Sequence, residues 1–405
     1  MSTERILPAQ PDRSVRPVVG SGLVALAMAM GIGRFAFTPL MPLMIRDGTL
    51  DAATGTEWAA SNYVGYLVGA LTAPWFAKDP RRGLLLSLIG VAVTTLAMAV
   101  AGEVPTPLPG ALLRGAAGVF SAWALVCASS WCLAELARRR AGPMGAWIYT
   151  GVGAGIALAG LLAWIGGRQP ANWLWLELGA IACAGALLVW AQSRGQSTGS
   201  IGTADREAVA AIPGRRSGQT ALVLCYGTFG FGYIVPATFL PAMARALAPD
   251  PLVFGLTWPL FGLAAAVSVA AVARWLPTMP RGRLWALAQG VMALGTALPL
   301  MAPSLWAIAT SAILVGGTFM VATMAGLQLA REARPDDPTP LLSRMTAAFA
   351  AGQIAGPLLV RTLGPGRWAG WDALDWTGAV ATLLLLATAS WLWHRARPAA
   401  TGPVG

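Results

Sequence analysis

The chain is a succession of apolar stretches, each long enough to cross a lipid bilayer, and no other feature narrows its fold so far. Covering about 30 Å of hydrocarbon takes roughly 18 to 25 apolar residues in a helix. Windows of that kind lie near residues 18–44, 58–77, 84–101, 108–134, 143–166, 172–191, 219–243, 253–274, 284–301, 305–329, 341–361 and 374–393. The run from Leu284 to Ala330 carries no charge and exceeds a single span, so Pro303 and Ser304 are read as the turn that divides it. Only 11% of the residues are charged, against about a quarter in a soluble domain. The expectation is an all-α membrane protein with twelve transmembrane helices.

Alternating twelve spans across a membrane sorts the basic residues unequally. One side receives Arg5, Arg13 and Arg16, then Lys78, Arg81 and Arg82, Arg138 to Arg140, and the arginines between spans six and seven; the other holds only Arg46, Arg168, Arg245, Arg361 and Arg367. The positive-inside rule then puts both termini in the cytoplasm of a multi-pass protein of the cell (inner) membrane. The same distribution accounts for the net charge of +11 as membrane anchoring, with no basic face for nucleic acid.

Ala27-Met28-Ala29 follows an apolar run and resembles a signal-peptide cleavage site. A repeat argues against cleavage. Gly31, Gly33, Pro42 and Met44 recur at one offset as Gly230, Gly232, Pro241 and Met243. Trp58, Trp75, Pro80, Arg81, Leu84 and Gly90 recur one residue further out as Trp258, Trp275, Pro280, Arg281, Leu284 and Gly290. The expected organisation is a cytoplasmic tail over 1–17, a six-helix half over 18–191, a cytoplasmic linker over 192–218, a second, pseudo-symmetric six-helix half over 219–394 and a tail over 395–405. Parallel halves of this kind are the plan of many secondary transporters.

Arg34 and Arg114 fall inside the first and fourth windows. A guanidinium keeps its charge, and placing it in hydrocarbon costs at least about 3 kcal/mol, so each needs water, a partner or an anionic ligand. At 1.5 Å per residue Arg34 lies about 24 Å along the first span and Arg114 roughly 10 Å into the fourth from the opposite end. Asn62, Tyr63, Tyr66, Tyr149, Tyr226, Tyr233 and Gln353 are the other polar candidates for a substrate cavity, and the chain's five tyrosines all lie in these spans. The alternative for each is helix-to-helix hydrogen bonding. Gly65 and Gly69, Gly151 and Gly155, and Gly352 and Gly356 are spaced to let helices approach closely and slide.

Acids are scarce in the spans. Glu177 lies inside the sixth and Glu135 at the end of the fourth; they are the candidates for proton coupling, and none is evident beside Arg34. The alternative to ligand contact for either arginine is a pairing with a helix-end carbonyl or with Glu177 that locks the bundle. A cation exporter would be expected to hold a carboxylate in its cavity, so an organic anion is the favoured substrate. The sole histidine, His394, the absence of H-E-x-x-H, and cysteines without ligand spacing leave no catalytic, metal or cofactor site to expect.

The string GIGRFAFTPLMPLM, Gly31 to Met44, and the string AAGQIAGP, Ala350 to Pro357, resemble the YbfB/YjiJ-like branch of the major facilitator superfamily (MFS). The resemblance implies the MFS fold and solute transport across the plasma membrane by a monomer. It implies that Asp79, Arg81 and Arg82 form a cytoplasmic latch, although Trp75 stands where the superfamily motif has glycine, and it pairs Arg114 with Gly118 in the fourth span. The fifth-span exporter motif is incomplete, since Gly151, Gly155 and Gly160 lack its proline. The combined expectation is a secondary transporter that moves a small organic anion by alternating access, with a proton as candidate co-substrate. A drug or metabolite exporter exchanging with protons is the alternative; a non-transporting receptor or a membrane enzyme ranks below both.

Overall fold

The computed structural model describes residues 15–104, 106–194, 214–247, 255–302, 304–364 and 366–396. Most of the expected tails and linker, residues 1–14, 195–213 and 397–405, lie outside the described residues. The first apolar window comprises α1 (Val15–Leu26), a π-helical stretch (Ala27–Arg34) and α2 (Phe37–Arg46). Then come α3 (Ala52–Phe76), α4 (Pro80–Ala101), α5 (Leu108–Arg138), a 3-10 turn (Gly142–Tyr149) running into α6 (Thr150–Ile165), and α7 (Ala171–Ser193). The second stretch contains α8 (Gly214–Leu247), α9 (Thr257–Trp275), α10 (Arg281–Met301), α11 (Leu305–Ala333), α12 (Thr339–Leu363) and α13 (Ala373–Arg395). Among the described residues, ten helical segments are long and apolar enough to cross a membrane, and α3 and α12 occupy the two windows not among them.

Local signals begin several helices. Asp51 accepts hydrogen bonds from the backbone N–H groups of Ala53 and Thr54 to start α3, Asp79 accepts from Arg82 to start α4, and Ser304 accepts from Ala307 to start α11. Asp372 and Asp375 form a reciprocal capping box at the head of α13.

The same helix pairings occur in both parts of the chain. The first span packs on α6 as α8 packs on α12; α3 packs on α5 as α9 packs on α11; α4 packs on α7 as α10 packs on α13. The most extensive contacts between the parts are those of α3 with α12 and of α6 with α9. Glycines set the closest approaches. A Cβ added to Gly65 would lie 1.9 Å from the carbonyl oxygen of Gly115, one on Gly118 2.2 Å from that of Asn62, and one on Gly31 2.4 Å from the backbone of Gly155. Gly65→Ala is therefore expected to push α3 off α5 and cost about 1–3 kcal/mol. A thermal melt of the purified variant in detergent checks this, and an unchanged midpoint would contradict the close approach.

The first window differs from the continuous helix expected of it. Around Gly31 and Gly33 the ladder widens: the N–H of Phe35 reaches back five residues to the carbonyl of Met30 at 3.1 Å. Helix α5 supplies the bonds that hold this turn. Ser121 donates to the carbonyl of Ala29 at 2.7 Å, and Arg114 donates to those of Gly33 at 3.0 Å and Arg34 at 2.9 Å. Tryptophans near span ends ordinarily sit at the membrane surface, but two are turned inward. Trp58 and Trp175 are buried, their indole N–H groups donating to the Pro107 carbonyl and to the Met44 sulfur.

Candidate functional site

The π-helical turn delivers Arg34 into the middle of the bundle, where the residue is 3% exposed. Its Nη2 donates to Oε1 of Gln353 on α12. The guanidinium carbon lies 3.5 Å from the centre of the Tyr66 ring, 5.5 Å from Phe35 and 5.9 Å from Tyr63, so aromatic faces take the place that an acid would otherwise fill. Among the described residues no carboxylate pairs with Arg34, whose Nε and Nη1 have no hydrogen-bond partner, and neither does Nε2 of Gln353.

Arg114 is equally buried but differently employed. With both terminal nitrogens on backbone carbonyls of the first span and its guanidinium carbon 4.8 Å from the Phe37 ring, it holds the helix interruption in place. Asn62 backs it by donating to the carbonyl of Arg114 at 2.9 Å. Both were expected among the ligand contacts; in this conformation the terminal nitrogens of Arg114 and Nδ2 of Asn62 bond to main chain, while Nε of Arg114 has no partner.

The tyrosines divide. Tyr63 and Tyr66 lie against Arg34, and Tyr233 joins them from α8, stacked on Phe319 at 4.8 Å. Tyr226 packs edge-on against Phe229 and Trp285. Tyr149 pairs with Ser129 at 3.0 Å, in the 3-10 turn at the start of α6, and is not brought to Arg34.

Neither acid joins the cluster. Glu177 is exposed and accepts from Gln169 at 3.2 Å, whereas Glu135 is held by Arg138 and Arg139 at the end of α5. Asp79 pairs with Arg82 at 3.2 Å and caps the start of α4. Gly151 and Gly155 receive the backbone of Leu23 and Ala27, and Gly352 that of Gly227.

Sequence reasoning overlooked the rings on the far side of Arg34. Phe35 lies 6.5 Å from Trp258 and 6.2 Å from Phe319, which in turn is 5.3 Å from Phe261. The indole N–H of Trp258 has no partner. The site is closed in this conformation; a cleft of about 740 Å³ opens elsewhere, among Pro277, Arg281, Glu332, Trp391 and Arg395.

Arg34 is a cation with no carboxylate partner among the described residues, buried where a membrane helix is interrupted, a placement that in membrane proteins marks solute and ion pathways. The fold and site thus define a membrane transporter. The chain belongs to the family described as "Uncharacterised MFS-type transporter YbfB", which matches residues 26–397. Among solved structures, the crystal structure of the human organic anion transporter MFSD10 (TETRAN) resembles it with a TM-score of 0.69 at 16% sequence identity, covering 95% of this chain and 100% of that one. No curated protein matches the sequence significantly.

Proposed function

We propose that the protein is an alternating-access carrier for a small organic anion and that Arg34 holds the anion's negative end. The state of Arg34 carries the reading: it is buried, bonded to one neutral carboxamide, and left with two nitrogens free of partners. A carboxylate could take those donors in a charge-assisted geometry that a neutral solute cannot match.

Two six-helix halves, residues 18–191 and 219–394, rock about this site, and the repeated helix pairing supports that motion. Arg34 belongs to one half and Gln353 to the other, so an anion engaging both favours closure. The arginine-rich loops support cytoplasmic termini and a place in the cell membrane. The structural neighbour's title names organic anions, in keeping with the same substrate class. Glu135 and Glu177 stand apart from Arg34, and the reading assigns neither of them a coupled proton.

Thermal-shift titration of the purified protein with organic acids and lipophilic cations side by side tests the proposal. Carboxylates are expected to raise the melting temperature. Gln353→Glu, which sets a fixed carboxylate against Arg34, is expected to cancel that rise by self-neutralisation. Stabilisation by lipophilic cations alone would overturn the reading in favour of a drug exporter.

A further inference from the structure

On the face of the site formed by Arg34, Gln353 and Trp258, the polar atoms without partners are all donors: Nε and Nη1 of Arg34, Nε2 of Gln353 and Nε1 of Trp258. Each residue is more than nine-tenths buried. Bulk solvent does not reach these groups in this conformation, and an occupant that brings acceptors satisfies them. Phe35 adjoins both sets of donors, its ring 5.5 Å from the Arg34 guanidinium and 6.5 Å from Trp258, with Phe319 6.2 Å away.

Resting on the anion reading above, we infer that the substrate is a flat aromatic carboxylate with a hydrogen-bond acceptor at the end of the ring remote from the acid. Its carboxylate takes the donors of Arg34 and Gln353; its ring lies against Phe35 and Phe319; its distal acceptor receives the indole N–H of Trp258. Aromatic contacts add attraction that an aliphatic ring of equal size lacks. Trp258 is stacked on Phe261 at 5.4 Å, so its surroundings are rings rather than a second cation, and this disfavours a dicarboxylate.

Calorimetric titration of the full-length protein in detergent distinguishes the possibilities with four probes. Benzoate is expected to bind about fivefold tighter than cyclohexanecarboxylate, from ring contacts alone. 4-Acetylbenzoate is expected to exceed the similarly shaped 4-isopropylbenzoate by about fivefold, the worth of one hydrogen bond. Trp258→Phe keeps a ring at that position and is expected to erase the preference for the acetyl group. Equal affinity for benzoate and cyclohexanecarboxylate would overturn the aromatic class but leave the anion reading standing. Persistence of the acetyl preference in Trp258→Phe would overturn the distal contact, and failure of every carboxylate to bind would bring down both proposals.

Discussion

Arg34→Ala is expected to abolish transport while the protein still folds and reaches the membrane. Removing one side of a buried charge-to-charge contact costs a bound partner about 2–5 kcal/mol, which corresponds to a loss of thirtyfold or more in anion binding. Stability should move the other way or not at all. Arg34 returns one hydrogen bond and some ring contact for the cost of burying a charge without a counter-charge, so its loss relieves desolvation. Arg34→Lys keeps the charge but not the planar fork, and is expected to retain a fraction of the flux. Uptake into sealed proteoliposomes, with the melting temperature measured on the same preparation, separates these effects. Normal uptake by Arg34→Ala would remove Arg34 from the site.

Arg114→Ala is expected to do the opposite and give the largest loss of stability of any single substitution considered for the bundle. Hydrogen bonds from a charged donor are worth about 1.5–3 kcal/mol each, and Arg114 makes two of them, to the carbonyls of Gly33 and Arg34. Without it those carbonyls are left in a dry interior, and the expected destabilisation is about 3–5 kcal/mol. Arg114→Lys offers one point of charge where two divergent acceptors need a fork, so it is expected to rescue only part of the loss. Melting temperature and yield from the membrane fraction report the result; a variant as stable as the parent would mean that the interrupted turn finds other donors. Activity falls in both arginine variants, but only here does it fall together with the fold.

That contrast marks what the sequence could reveal. Apolar runs long enough to cross a bilayer announce the helices, because length and hydropathy are properties of the chain itself. Arg34 and Gln353 announce themselves as polar groups in such runs, and they meet in the structure. Arg114 looked the same as Arg34 for a physical reason: its partners are main-chain carbonyls, which every residue carries, so nothing in the spelling distinguishes a brace from a ligand site. The widened turn at Ala27–Arg34 was hidden likewise, since it depends on hydroxyl and guanidinium donors from a helix some ninety residues away in sequence. Phe35, Phe319 and Trp258 were passed over because an aromatic in an apolar run is ordinarily core, and only their arrangement around Arg34 sets them apart. Trp58 and Trp175 likewise stand near span ends, where tryptophan ordinarily faces the membrane surface, yet turn inward.

The unusual winding of the first span has a bearing on how this chain tolerates insertions and deletions. Each residue of an α-helix turns the path by about 100°, so a segment wound with a residue to spare points everything beyond it along a different compass bearing. Excising one amino acid between Ala27 and Gly33 would let the segment relax to the common pitch and swing the guanidinium of Arg34 away from Gln353, although no side chain in the site had been altered. Bookkeeping of length in this short piece of the chain is as much a part of the binding chemistry as the charge it presents.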